Sequence, residues 1–491
     1  MRRPVQGSTS TRDFQTRDLK GPLHREEDHM DEIREECGVF GIWKTPGHEA
    51  ALDIYHGLLS LQHRGQESAG IAVCDTIGVR GNMCLHKDMG LVSEVFDENG
   101  LTGLKGNIGV GHVRYSTTGD STVRNAQPIA FQYLKGTLAL VHNGNIVNSD
   151  ELKHELLNTG SVFNATSDSE VIATAIAKIR ARTGSIEEAV SRIVPDLKGG
   201  YAIIIMSPRK IIAVRDPLGL KPLCLGKCSD GYMIASESCA ISACGGEFIR
   251  DVRPGEIISI SKNGLTSDTS LCTRYESHAH CIFEYIYFAR LDSVMDNVGI
   301  YKARFNGGEA LAKAHPADAD IVTGVPESGL TAAEGFAYGS GIPFVRVFHK
   351  NSYIGRTFIK PTDSERRSAV SMKLGVIPGM VAGKRVVLID DSIVRGTTIS
   401  NLIRMLRDAG AVEVHVRISS PPFLHPCFYG TDVPDNSQLI ADKYSIEEIR
   451  QQIDADSLAY MKLEDLSAMT GELGLCRACF DGVYPTPVER G

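Results

Sequence analysis

The sequence is short of several features, and each shortage excludes something. No apolar run approaches the roughly 20 residues of a membrane span; stretches such as Tyr201 to Met206 are strand-sized. Positive charge is not in excess: the formal net charge is -8, and counterion release on nucleic acid needs a basic surface. Neither a membrane nor a nucleic acid is therefore expected as a partner. Cysteine is sparse, twelve in 491 residues, too few and too irregular for a disulfide scaffold. A reducing, cytoplasmic setting follows, where purposeful cysteines are catalytic or metal-binding and the rest are small core residues. Residues 1–36 are rich in Arg, Asp, Glu and His and lack an apolar h-region, so they read as a polar leader rather than a secretory signal.

What is present is enough chain for two cores, since a single core stops growing well below this length. Over 37–265 short apolar strands alternate with glycine-rich turns, as in CGVFGIW, GIAVC, IGVGHVRYS, LALVHNGNI, YAIIIM and IIAVRD. Helical spacing interrupts them at 50–62 and 168–181. Two stacked sheets flanked by helices are predicted. Over 266–491 the rhythm becomes strand, loop, helix. A strand at 320–325 leads through PESG into an Ala-rich helix, and a strand at 384–389 ends on Asp390 and Asp391. Ile399, Leu402, Ile403 and Leu406 then share a helical face closed by Gly410, and 412–418 is the next strand. Such alternation predicts a parallel sheet with its ligand site at the strand C-termini.

Cys37 opens an apolar strand directly after the leader. Alone, a buried structural cysteine is the commoner reading. Further along, GVGHVRYSTTG carries Arg114, LVHNGNI carries Asn143 and Gly144, and TSDSE places Asp168 at a helix start. In this order the motifs resemble the N-terminal-nucleophile glutaminase family, with its four-layer αββα fold. The resemblance implies that the leader is cleaved and Cys37 is the nucleophile, with its own α-amine as base. That amine has a reference pKa of about 7.7–8.0, close to working pH. It further implies an oxyanion hole from Asn143 and Gly144, an Arg114 grip on the glutamine carboxylate, and an Asp168 grip on its ammonium.

VVLIDDSIVRGTT, residues 386–398, is an apolar strand, two aspartates and a loop opening a helix. It resembles the type I phosphoribosyltransferase signature. By that resemblance Asp390 and Asp391 hold ribose hydroxyls and a hydrated Mg²⁺, with Ser328 of VTGVPESG also linked to the ion. The N–H groups of Arg395, Gly396, Thr397 and Thr398 suit a 5′-phosphate at a helix N-terminus. KNSYIGRTFIKP matches the mobile loop that closes over pyrophosphate. Lys350 and Arg356 belong to that loop, and Tyr353 and Ile359 would wall an ammonia passage.

Cys281, Cys427, Cys476 and Cys479 stand in HAHCIFEY, PPFLHPCFYG and LGLCRACF. Four thiolates suit Zn²⁺ or an iron–sulfur cluster, and spacing does not separate the two. Taken whole, the chain resembles the iron–sulfur branch of the amidophosphoribosyltransferase family, which favours a [4Fe–4S] cluster in the C-terminal cysteine-containing tail. Leu291 and Glu327 depart from the family's usual proline and aspartate. The family implies glutamine and phosphoribosyl pyrophosphate as substrates, ammonia passed between two sites, purine nucleotides as feedback inhibitors, and a homotetramer. A non-enzymatic ligand sensor would not need Cys37, Arg114, Asn143 and Asp168 together, and the 386–398 segment opposes a glutaminase feeding another acceptor.

Overall fold

Side-chain alternation builds the first half. Along the Gly136–Ile146 strand, Leu138 and Leu140 point to one face and Ala139 and Val141 to the other, and both faces are buried. The computed structural model describes residues 36–77, 83–115, 121–351, 374–431, 433 and 436–488, all within one unit, Asp31–Gly491. Two antiparallel sheets lie face to face. The first runs Glu247–Asp251, Cys224–Cys228, Gly231–Ala235, Gly38–Lys44, Ile108–Arg114, Ser68–Cys74, Met83–Met89. The second runs Gly264–Asp268, Ile257–Ser261, Lys210–Arg215, Gly199–Ser207, Gly136–Ile146, Ile129–Tyr133. Val39, Val110, Ala139, Val141, Ile204 and Ala213 fill the space between them.

The Ala51–Ser60 helix shares a core with Phe40 and Ile71 on the outer face of the first sheet. The Asp168–Arg180 helix covers the second through Ile172 and Ile176, beside Leu140 and Ile203. The layers are thus αββα, and both predicted helices are present with ends trimmed by one or two residues.

In the second half Ile321–Gly324, Arg385–Asp390, Glu413–Ile418 and Ser457–Tyr460 form a four-stranded parallel sheet in that order. The Thr397–Asp408 helix buries Ile399, Leu402, Ile403 and Leu406 against Val386, Leu388, Val414 and Val416. Each such side chain contributes about 1.5–3 kcal/mol. Gly410, at φ +95, closes the helix in the left-handed conformation that glycine adopts without a Cβ penalty. The Ile300–Ala314 and Leu330–Ser340 helices cover the other face, with Ala303, Ala333 and Phe336 beside Val387 and Ile389.

CIFEYIYFAR joins the halves through a π-helical turn, Glu284–Phe288. Arg304 satisfies its carbonyls, donating to Tyr285 O at 3.0 Å, Tyr287 O at 2.6 Å and Ala289 O at 2.8 Å. Among the described residues no helix is long and apolar enough to cross a membrane.

Candidate functional site

The Gly38–Lys44 strand pairs Gly38 with Val113, which brings Cys37 beside Arg114 and Tyr115. The thiol donates to the Tyr115 carbonyl at 3.5 Å. Burial pushes this thiol up to about 11, against the smaller pull of the Tyr115 contact and of Arg114. A carbonyl is no base at neutral pH, so Cys37 in this chain is held as a thiol. Arg114 is buried and pairs with Glu67 at 3.1 Å.

The second sheet supplies the opposite wall. His112, two residues before Arg114, reaches across with Nε2 3.0 Å from the His142 carbonyl. Next to it, Asn143 is 1% exposed, and its Oδ1 and Nδ2 are both buried without a hydrogen-bond partner. A buried amide left unpaired is costly, so its position calls for a ligand. Gly144 follows at φ +126, where a Cβ would lie 2.1 Å from the Gly200 carbonyl. Only glycine fits there. Asp168 begins its helix without capping it. Its Oδ2 accepts from the Ile146 N–H at 3.1 Å, and Oδ1 lies 3.6 Å from His142 Nδ1. Burial opposes its charge, but His142 and the backbone donors of Ile146 and Ser169 overcome this and hold the carboxyl below its usual range. The site thus combines a thiol, an unpartnered amide and an ionised carboxylate.

The second centre sits where parallel strands end. Asp390 closes the Arg385–Asp390 strand, and Asp391 follows, its N–H donating to Asp390 Oδ1 at 2.9 Å. Both are 7% exposed. Gly396, at φ +88, turns the chain into the Thr397–Asp408 helix, whose first turn presents N–H groups and the positive end of the helix dipole. Ser328 lies in the turn after the neighbouring Ile321–Gly324 strand, and Lys350 ends the Phe348–Lys350 strand. Tyr353, Arg356 and Ile359 lie outside the described residues.

A separate cavity is lined by Cys281, Cys427, Cys476 and Cys479 together with Lys221, Phe283, Phe423, Tyr429 and Thr431. Cys281 and Cys476 are paired in a short parallel bridge. Burial pushes the Cys476 thiol up to about 12 and holds Cys281 and Cys479 well above the ordinary thiol range. All twelve cysteines are free. The four cysteines expected as ligands line this one cavity, but among the described residues no three His, Cys, Asp or Glu side chains are gathered as a ready metal site. Four soft sulfur donors without a competing carboxylate in the lining are the right chemistry for Zn²⁺ or an iron–sulfur group.

Sequence reasoning missed the buried charges beside this cavity. Arg64 binds Glu284 at 2.6 and 2.9 Å, Glu237 at 2.7 Å and Glu36 at 3.2 Å. Glu36 also accepts from Thr431 Oγ1 at 2.6 Å. The available signal was Glu284 within the apolar run CIFEYIYF, a carboxylate that needs a buried partner. The Cys427–Thr431 loop touches the first centre as well: Asn145 Nδ2 donates to Phe428 O at 2.9 Å, and Gly430 packs on Gly144.

Comparison with known proteins bears on both halves. A profile of the glutamine amidotransferase domain matches residues 112–243, and one of the phosphoribosyl transferase domain matches 297–419. Amidophosphoribosyltransferase of Archaeoglobus fulgidus is 47% identical over 92% of this chain and 98% of its own length. That of Bacillus subtilis is 46% identical over 93% and 95%. Among solved structures, the glutamine phosphoribosylpyrophosphate amidotransferase of B. subtilis, complexed with ADP and GMP, superposes with a TM-score of 0.85 at 45% identity, covering 92% of this chain and 98% of that one. With both halves matched in order along nearly the whole length, the chain belongs to the amidophosphoribosyltransferase family, enzymes of the first committed step of purine biosynthesis.

Proposed function

We propose that residues 37–265 release ammonia from glutamine and residues 266–491 add it to phosphoribosyl pyrophosphate, giving 5-phosphoribosylamine, glutamate and pyrophosphate. Removal of residues 1–36 turns the Cys37 nitrogen from a peptide N–H into an amine, which takes the thiol proton as the sulfur attacks the carboxamide. Arg114 binds the glutamine carboxylate and Asp168 the ammonium. The Asn143 amide and Gly144 N–H receive the developing oxyanion. The amine passes that proton to the amide nitrogen of the tetrahedral adduct, whose C–N bond breaks to release ammonia and leave a thioester, which water hydrolyses to glutamate. The observation that carries this reading is Asn143, whose buried amide has both polar atoms unpartnered beside a position that admits only glycine.

In the second half, Asp390 and Asp391 bind the ribose hydroxyls, and Arg395, Gly396, Thr397 and Thr398 receive the 5′-phosphate. Lys350, with Arg356, addresses the pyrophosphate, and Tyr353 and Ile359 line the ammonia passage. Two adjacent buried carboxylates are hard oxygen donors of the kind Mg²⁺ takes, so Asp390, Asp391 and Ser328 would hold that ion. Bound there, Mg²⁺ supplies charge neutralisation on the leaving pyrophosphate. Cys281, Cys427, Cys476 and Cys479 hold a structural [4Fe–4S] cluster, a reading supported by their shared cavity. Purine nucleotides are the expected inhibitors, in line with the ADP and GMP on the B. subtilis relative. The enzyme works in the cytoplasm as a homotetramer.

One assay tests the division of labour. Glutamine hydrolysis is expected to rise on adding phosphoribosyl pyrophosphate. Cys37→Ala is expected to abolish glutamine use while sparing synthesis from ammonia. Loss of both activities in folded protein would overturn it.

A further inference from the structure

Behind Asn143 lies a buried polar assembly that the chemistry above does not use. Successive side chains of a strand point to opposite faces. Asn143 faces the other sheet, and His142 faces the Asp168–Arg180 helix. There His142 Nδ1 lies 3.3 Å from Ser169 Oγ and 3.6 Å from Asp168 Oδ1. The His142 backbone is held separately. Its N–H donates to Gln127 Oε1 at 2.7 Å, and its carbonyl accepts from Gln127 Nε2 at 3.2 Å. The same Nε2 lies 3.1 Å from Ser169 Oγ.

Strand register explains why a side chain does this. The Ile129–Tyr133 strand pairs Ile129 with Leu140, so the position opposite His142 falls to residue 127. Pro128 has no N–H, and the paired strand begins only at Ile129. The Gln127 amide, carrying both a donor and an acceptor, continues the ladder in the backbone's place. Gln127, His112, His142 and Ser169 are all nearly solvent-free, and each is held by the contacts above, with His112 Nδ1 and His142 Nε2 left without a partner. None of them reaches the reacting atoms' side of the strand through its own side chain except His112, which stops at the His142 carbonyl.

We propose that Gln127 and His142 are positioning residues of the glutamine site, fixing the Asn143–Gly144 donors and the Asp168 carboxylate as one unit. The inference deepens the reading of Asn143, Gly144 and Asp168 given above and rests on it. Oxyanion donors help only if they are aimed before charge develops. Tilting the peptide between His142 and Asn143 moves the Asn143 amide and the Gly144 N–H together. Gln127 holds that peptide, so it acts on an interaction made in the transition state. The His142 ring acts on Asp168, which binds substrate and transition state alike. The two residues therefore have different kinetic signatures.

The test uses full-length enzyme with its natural processing and five variants. Gln127→Leu keeps the volume and removes both backbone contacts. It is expected to lower kcat for glutamine roughly ten- to a hundredfold, with KM changed by no more than about twofold. Gln127→Glu keeps the acceptor for the His142 N–H but loses the donor, and falls between Gln127→Leu and wild type. His142→Leu is expected to raise the glutamine KM roughly tenfold. His142→Asn, whose amide reaches the Nδ1 position, restores it. Ammonia-supported synthesis uses the other centre and reports folded protein in every case. If His142→Asn behaves like His142→Leu, the ring only fills space and the proposal fails for it. If Asn143→Ala abolishes glutamine hydrolysis while the Gln127 and His142 variants keep wild-type constants, this inference falls and the oxyanion reading survives. Intact hydrolysis in Asn143→Ala would sink both.

Discussion

Glu36, the residue immediately before Cys37, is bonded to Lys221: its Oε1 accepts from Lys221 Nζ at 2.5 Å, with neither side chain reaching solvent. Burial would raise the Glu36 carboxyl, but Lys221, the Glu284 hydrogen bond and Arg64 overcome it and hold it at about 2. Burial and the Glu36 charge together outweigh Arg64 at Glu284, which is raised to about 8. The two carboxyls thus share one proton at neutral pH.

Leader removal takes Glu36 away from these partners. Glu36→Ala is expected to destabilise the leader-bearing chain by about 3–5 kcal/mol, as when one member of a buried ion pair is deleted. Processed enzyme from the same variant begins at Cys37, is identical to wild type, and unfolds like it. Denaturant unfolding of both forms checks this, and intact mass of active protein should lack residues 1–36. Equal destabilisation of the two forms, or full activity with the leader attached, would refute the assignment. With burial pushing its thiol up to about 11, Cys37 in the leader-bearing chain stays protonated at pH 7, so iodoacetamide should label it far more slowly than in processed enzyme.

In the proposed reaction positive charge builds on the ribose, beside Asp390 and Asp391. Asn at either position keeps the shape and removes the charge, and is expected to cost about 3–4 kcal/mol of barrier, mostly in kcat. Glutamine- and ammonia-supported synthesis should fall together, while basal glutamine hydrolysis persists without responding to phosphoribosyl pyrophosphate. Near-normal ammonia-supported turnover in the double Asn variant would show the site misassigned.

Protein purified without oxygen is expected to be brown and to contain iron and acid-labile sulfide. Cys476→Ser should lower folded yield more than it alters the chemistry of what survives. Stoichiometric zinc without visible absorption would overturn the cluster.

Asp251 gives a pH dependence whose sign can be worked out. Burial and then the Asp296 charge raise its carboxyl to about 6, against the pull of Arg215. A carboxyl raised in the folded state favours folding fully below its unfolded value near 4, and that contribution is lost as pH rises through 6. Asp251→Asn should therefore match wild type near pH 4 and be more stable above pH 6. The difference is up to about 3 kcal/mol, equivalent to roughly two pKa units. Thermal or urea unfolding at both pH values measures it, and a constant difference across the range would refute it.

Local patterns were legible in the sequence and long-range pairings were not. The face of Ile399, Leu402, Ile403 and Leu406 is written at helical spacing, and the Asp390–Asp391 pair announces itself by ending an apolar strand. Asn143 and Gly144 were singled out by the order of the motifs around them, since Asn-Gly alone is an ordinary turn pair. Lys221 and Glu36 are 185 positions apart, and no spacing rule links them. Gln127 was invisible for another reason: a side chain standing in for a strand is recognised only once the register of Ile129 on Leu140 is known. The four cysteines could be picked out, but thiolate chemistry alone does not choose between zinc and iron.

The contact between Gly430 and Gly144 constrains how this protein can be divided. A Cβ on Gly430 would lie 2.9 Å from the Gly144 carbonyl carbon, so the C-terminal loop presses on the very residue that shapes the glutamine site. Asn145 is tied to Phe428 in the same place. One wall of the first catalytic chamber is thus contributed by chain more than 280 residues downstream. An excised N-terminal half would carry every glutaminase side chain and still lack the surface that holds them in shape. The two activities are joined as parts of one folded object, and neither was built to be detached.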